Sequence, residues 1–409
     1  MSERHEEPQP KPYRVYKGGR VKGRVPLRDG GARPPAGPPR TGANGSRGPG
    51  APGAPRRRRL RPNLRRPRFW IRTIGVSLVL GILLVGSWGI ASYFALRDGA
   101  KAANGRLSRA ARAQLVDPEG LFLFHSRTIL YLGLDHSRLK TRAGNRHSDT
   151  ILLIRTDPGK HRLTYLSIPR DLRVEIPGQG FQKINAAYQI GGPALALRTI
   201  RRYTGLDVNH VLIADFNDFR TVIDELGGID VTVPARILSN DFDCPYSFER
   251  CQTWEGWRFA EGRQHMNGWR ALIYSRIREN KLNPGESDLS RGERQQAVMQ
   301  ATFRKATGVG TFYRAPWIAD DVLGPLTTDL GAGEVLQFGW VLKRADSGRT
   351  LHCRLGGTGS EIGGESVIQP TEENFAVIHM FTGESAPQPP LPGSGPYGPG
   401  CVVGSDRLG

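Results

Sequence analysis

The 409-residue sequence contains no Walker loop and no dinucleotide fingerprint, so neither familiar glycine-rich phosphate loop is available for nucleotide chemistry. It has only four cysteines and no C-x-x-C spacing, which argues against a short zinc motif. No internal repeat is present. Acidic residues are scarce at one end: residues 1–72 hold 20 Lys and Arg against Glu3, Glu6, Glu7 and Asp29. With 58 basic and 38 acidic residues in all, the rest of the chain carries 38 and 34, a net charge of +4 against +16 for the tail. The basic balance therefore belongs to the tail, and no nucleic-acid partner is expected for the folded part.

The same 72 residues have few apolar side chains. GGARPPAGPPR and GPGAPGAPRRRR offer nothing to bury, and disorder is expected for residues 1–72. Long apolar runs are also absent, with one exception. Residues 73–96, TIGVSLVLGILLVGSWGIASYFAL, run for 24 positions without a charge. A helix of that length, rising about 1.5 Å per residue, spans a hydrocarbon core of about 30 Å. The run is too long and too internal for a cleaved signal peptide, and Trp70, Trp88 and Tyr93 suit the two interfaces. The arginines just before it place the N-terminus in the cytoplasm and everything after about Arg97 outside a single-pass cell-membrane anchor. Residues 97–126, polar and rich in Ala and Arg, read as a stalk.

Cys244, Cys251, Cys353 and Cys401 all fall on the expected outer side, where disulfides persist. Three pairings are open, and spacing does not choose among them. Cys244–Cys251 closing a loop and Cys353–Cys401 pinning the Pro/Gly-rich residues 385–409 is the favoured set.

Residues 127–384 alternate strand and helix patterns, which indicates an α/β domain with a central mixed sheet flanked by helices. Its centre is SDTILLIRTDPGKHRLTYLSIPRD, Ser148–Asp171, two apolar runs around Asp157-Pro158-Gly159-Lys160. This predicts an antiparallel hairpin with Asp149 opposite Ile168, so that Asp171 overshoots Asp149 by about three residues, roughly 10 Å. Pro169 then bends the chain and brings Asp171 back. Arg276 and Arg278 are two apart and share a face on a predicted strand. Arg291, Arg294 and Gln295 lie at i, i+3 and i+4 on a helix opened by the capping-box pattern Ser290–Glu293. With Arg170 and Lys183, these cations around two aspartates suit a polyanion bridged to the carboxylates by a divalent cation.

Several ordered motifs carry a resemblance: Ser148-Asp149-Thr150, Ser167-Ile168-Pro169-Arg170-Asp171, Lys183-Ile184-Asn185, Leu226-Gly227-Gly228-Ile229-Asp230, Arg276-Ile277-Arg278, and Asp288 through Gln296. In this order, across residues 127–381, the chain resembles the LytR-CpsA-Psr family of cell-wall phosphotransferases. The long Gly/Pro/Arg-rich tail and the cysteines resemble actinobacterial members. The resemblance implies transfer of a glycopolymer from a polyprenyl-pyrophosphate carrier to peptidoglycan, at a membrane lipid surface, with Mg²⁺ or Mn²⁺ as cofactor. It implies Asp149 and Asp171 as metal ligands and, with Arg170 and Arg278, as catalytic residues. Arg170, Lys183, Arg276, Arg278, Arg291, Arg294 and Gln295 would face the pyrophosphate. The chain departs from the family at His147, where an arginine is frequent. An apolar slot for the prenyl chain is expected against Phe219, Val222 and Leu226.

Overall fold

The structure, a computed structural model, describes residues 67–135, 147–283, 288–394 and 397–404, together with the paired strands Tyr13–Arg14 and Val25–Pro26. Residues 1–66 form one unit and residues 67–409 a second. Most of the tail for which disorder is expected lies outside the described residues.

Seven strands form the central sheet of the second unit: β1 (Arg127–Leu134), β2 (Ser148–Asp157), β3 (Arg162–Ile168), β4 (His210–Asp215), β5 (Thr327–Thr328), β6 (Leu351–Arg354) and β7 (Gly400–Val403). Their order is β5-β4-β1-β2-β3-β6-β7. β1 runs parallel to β4 and β3 parallel to β6, while the remaining neighbours are antiparallel. The carboxyl ends of β1, β3, β4 and β6 therefore lie along one edge, the side on which open α/β sheets bind ligands.

Both faces of the sheet are covered, which is why its strands read as near-continuous apolar runs. Leu130, Leu132, Leu153 and Leu166 point into one core, with Leu197 and Ile200 of helix α2 (Ala186–Thr204). Ile129, Tyr131, Leu152 and Tyr165 point into the other, with Met299 and Phe338. A third cluster joins the hairpin Ile229–Val233/Gly262–Met266 to helix α3 (Phe216–Glu225), α4 (Gly268–Arg276) and α5 (Asp288–Ala306). Helices α6 (Val309–Leu323), α7 (Ala332–Arg344) and α8 (Glu373–Thr382) complete the domain.

Preceding all of these is the helix Pro67–Gly105, whose segment Arg68–Gly105 is long and apolar enough to cross a membrane. It does not stop at Leu96 and lead into a free stalk. Ala100 and Ala103 are buried, and Asn104 donates to the carbonyl of Leu330 at 2.7 Å. The helical alanines that suggested a stalk pack on the domain.

Three local expectations are corrected. The hairpin register pairs Ile151 with Ile168 and Asp157 with Arg162, because the turn is a 3₁₀ segment, Pro158–Lys160, followed by His161 at φ 50°. Continuing that register sets Asp149 opposite Arg170, not Ile168, so Asp171 overshoots by one residue. Secondly, Arg276 ends helix α4 instead of sharing a strand with Arg278. Helix α5 starts at Asp288, which leaves Ser290 inside its first turn, not at the cap. Helix α3 is capped by Asp215, whose Oδ1 accepts from Asn217 N and Asp218 N. Helix α6 and strand β7 had no sequence expectation.

Candidate active site

β3 ends at Ile168 because Pro169 has no amide hydrogen for the ladder. The next two residues are held from both sides: Asn185 N donates to Arg170 O at 3.3 Å, and Ile368 N donates to Asp171 O at 2.9 Å. Arg170 is thereby fixed above the start of β2. Its Nη1 lies 2.8 Å from Asp149 Oδ1, and its Nε lies 3.2 Å from Asp171 Oδ2. Lys183 Nζ reaches Asp171 Oδ1 at 3.4 Å and Glu365 Oε2 at 3.5 Å. The two aspartates that sequence reasoning paired are thus brought together, with one guanidinium between them.

Two cavities meet at this cluster. One is a recess of about 60 Å³, lined by Asp149, Arg170 and Asp171, by Arg291 and Gln295 from one face of α5, and by Arg354. It has room for about four water-sized groups, the bulk of one tetrahedral oxyanion. The other is an open groove of about 1100 Å³ that shares Asp149, Arg170 and Asp171 and adds Lys183, Arg278 and His147. A chain-like ligand could run along it with one anionic group in the recess.

Not every expected contact converges. Arg294, on α5 with Arg291 and Gln295, donates from its Nη2 to Ile277 O at 2.9 Å. It braces the segment that carries Arg278. Arg276 pairs with Asp243 and lies over the rings of Phe216 and Phe242, with centroids at 4.7 and 5.5 Å. It ties α4 to the loop closed by Cys244–Cys251. Neither residue lines the recess or the groove. Leu226 is fully buried and Phe219 and Val222 pack on core clusters, so the expected prenyl slot does not open at that helix face.

Asp135, Glu365, Arg354 and Tyr397 are among the lining residues that had no part in the sequence reading. Asp135 follows β1 and Glu365 opens a strand, and both line the groove. Arg354 and Tyr397 line the recess. Arg354 is 6% exposed; its Nε donates to Gly398 O at 2.8 Å, and its Nη1 is buried with no hydrogen-bond partner among the described residues. Burial lowers its pKa from the usual arginine value, opposed by the field of Glu293. Both disulfides have the favoured pairing, and Cys353–Cys401 joins directly opposed residues of β6 and β7. Gly356 has no side chain because the carbonyl of Tyr397 occupies that space, 1.8 Å from where a Cβ would stand. The chain after Ser385 therefore reaches back to the site. A charged residue at the end of an apolar strand was the available signal for Asp135 and Arg354.

For a metal, the fit is that of a partial shell. Among the described residues no three His, Cys, Asp or Glu groups cluster. Asp149 and Asp171 supply hard oxygens from two separate elements, a donor set that suits Mg²⁺ when substrate phosphates and water complete it.

The sequence model of the LytR_cpsA_psr family matches residues 95–380. The chain belongs to this family. Among curated LytR_cpsA_psr relatives, the polyisoprenyl-teichoic acid–peptidoglycan teichoic acid transferase TagV of Bacillus subtilis is 28% identical over 287 residues, covering 68% of this chain and 70% of that protein. TagU of Halalkalibacterium halodurans, whose name describes the same transfer, is 30% identical over 261 residues, or 63% and 79% of the two chains. The crystal structure of B. subtilis TagV superposes with a TM-score of 0.51 at 25% identity, over 63% of this chain and 96% of that one. The mixed sheet flanked by helices is the fold of that family.

Proposed function

We propose that this protein transfers a glycopolymer from a polyprenyl-pyrophosphate carrier to peptidoglycan, forming a phosphodiester and releasing polyprenyl phosphate. The observation that carries this reading is the pairing of Asp149 and Asp171 through Arg170 where the recess opens into the groove. The family's named transferases supply the reaction class.

A sugar hydroxyl of the acceptor attacks the phosphorus that bears the polymer. The bond from that phosphorus to the bridging oxygen breaks, and the bridging oxygen leaves with its electron pair on the prenyl phosphate. The hydroxyl proton passes to a carboxylate, Asp149 or Asp171. Arg170, Arg291 and Arg354 surround the recess where charge on the transferred phosphoryl group is neutralised, and Lys183 and Arg278 lie along the groove. Gln295 donates a neutral hydrogen bond there. Arg276 and Arg294 act at one remove, by holding the elements around Arg278. Asp149 and Asp171 would hold Mg²⁺ or Mn²⁺, which would supply positive charge to the pyrophosphate, with the carboxylate that takes the proton the looser of the two ligands. The domain works outside a single-pass membrane, with residues 1–66 in the cytoplasm; the arginine cluster before the apolar helix supports that orientation.

The test uses the full chain in detergent with a prenyl-pyrophosphate-linked oligosaccharide, Mg²⁺ and a peptidoglycan acceptor. Mass spectrometry should detect prenyl phosphate and a sugar-phosphate-acceptor product. Asp149→Ala should lower turnover by about 100-fold or more. Prenyl phosphate without acceptor product would instead identify a hydrolase, and binding without turnover a capture protein.

A further inference from the structure

Helix α6 carries a face of large apolar side chains that the domain does not cover. Val309, Phe312, Tyr313 and Trp317 recur at i, i+3, i+4 and i+8 and are 64%, 58%, 66% and 70% exposed. A soluble domain seldom exposes such a stripe without a partner for it. The stripe is continuous with the apolar helix Pro67–Gly105. The ring of Phe312 lies 4.6 Å from that of Trp88, and Trp88 Nε1 donates to Tyr313 O at 3.2 Å. Nearer the outer end, Gly99 packs against the backbone of Asp320, so close that a Cβ would stand 2.8 Å from its Cα. The two helices therefore run side by side in the same direction.

This pairing fixes a level. Trp88 lies eight residues before the end of the charge-free run, about 12 Å at helical rise. The N-terminal half of α6 sits beside the part of the run that faces lipid. On the other side of the apolar helix, Tyr93 and Phe94 remain 49% and 48% exposed. The opposite side of α6 packs on the domain: Ile318 and Ala319 are 6% and 7% exposed, and Arg314 donates to Glu225 O at 3.1 Å. A helix whose aromatic face is uncovered, whose other face packs on the domain, and which lies level with a lipid-facing run suits a membrane interface.

We propose that α6 is a second membrane-contacting element, whose face Val309/Phe312/Tyr313/Trp317 is buried in the outer-leaflet interface beside the spanning helix. The occupant of this face is lipid, and the inference rests on the membrane-spanning reading of the first helix, not on the transferase reading. Its consequence is that the domain is held against the bilayer at a fixed rotation.

The test places a nitroxide at position 317 (Trp317→Cys) in the full chain, reconstituted in phosphatidylcholine/phosphatidylglycerol vesicles. Leu84→Cys on the spanning helix and Phe248→Cys, 81% exposed on the stapled loop, serve as the lipid and water controls. Collision rates with oxygen and with a water-soluble nickel chelate are measured by electron paramagnetic resonance. Position 317 should resemble position 84, with nickel collisions lost and oxygen collisions raised. Nickel access equal to that at position 248 overturns the proposal. Loss of both, with spin–spin broadening, would assign the face to a second copy of the chain and also overturns it. Should position 84 itself be open to nickel, the spanning reading fails, and the proposal with it.

Discussion

Asp149, Arg170 and Asp171 owe their meeting to one register. Each is an ordinary surface residue type, and the pairing across β2 and β3 puts the guanidinium between the carboxylates. Arg354 is a different case, a buried cation whose Nη1 has its hydrogen-bonding capacity unmet by protein at the recess. Arg354→Gln should weaken binding of inorganic pyrophosphate by about 10- to 100-fold, the worth of a hydrogen bond between charged groups, as read by calorimetry. Arg354→Lys, which keeps the charge without the planar fork, should fall between. Away from the site, His352 of β6 stacks on Tyr165 and approaches Gln296 Oε1 at 2.8 Å. Burial lowers its pKa to about 4. The folded value lies below the unfolded one of about 6.5, so this neutral imidazole favours folding above that pH. That stability should be lost as pH falls from about 6.5 through about 4, by up to about 3 kcal/mol. Melting curves at pH 7.5 and pH 5 should show a smaller shift for His352→Gln than for the parent chain.

At the scale of elements, the C-terminal strand changes what the end of the chain is for. β7 is an antiparallel partner of β6, and Cys353–Cys401 links them across a separation of 48 residues. Through Gly398 and Tyr397 the same segment forms a wall of the recess. In the chain-entropy account, closing a loop of that length stabilises by about 4 kcal/mol, against about 2.4 kcal/mol for the short Cys244–Cys251 loop. Replacing both Cys353 and Cys401 by Ala should therefore lower the melting temperature more than the Cys244/Cys251 double replacement does. It should also weaken pyrophosphate binding, which the other pair should leave unchanged. Helices α4 and α5 divide their arginines between contact and bracing: Arg291 lines the recess while Arg294 holds the Ile277 carbonyl. Both arginines come from one helix, and the neighbour opposite each side chain separates their roles.

For the whole molecule, the apolar helix and the domain are one packed unit from Trp88 onward, through Gly99, Asn104 and α6. The proposed orientation rests on the arginines before the helix. In intact cells a tag at the N-terminus should resist external protease, while one inserted in the 244–251 loop should be cleaved; the opposite pattern would reverse the topology.

Periodicity and composition in the sequence by themselves determined the apolar span, the α/β class and the central hairpin. Those features are local, written in runs of neighbouring side chains and in turn residues. The motif order also identified which aspartates and arginines to watch. Only the tertiary structure decided the hairpin register, because a 3₁₀ turn and a tighter turn can follow the same Asp-Pro-Gly-Lys letters. It alone separated Arg291 from Arg294 and Arg278 from Arg276, since a spacing gives a face but not the neighbour across from it. That Arg354 and Tyr397 meet at the recess was not legible, for a related reason, although Arg354 carried the signal of a charge at the end of an apolar strand. They reach the recess through β6–β7 pairing and a backbone contact at Gly356, between segments about 40 residues apart, and no local pattern encodes where such segments meet.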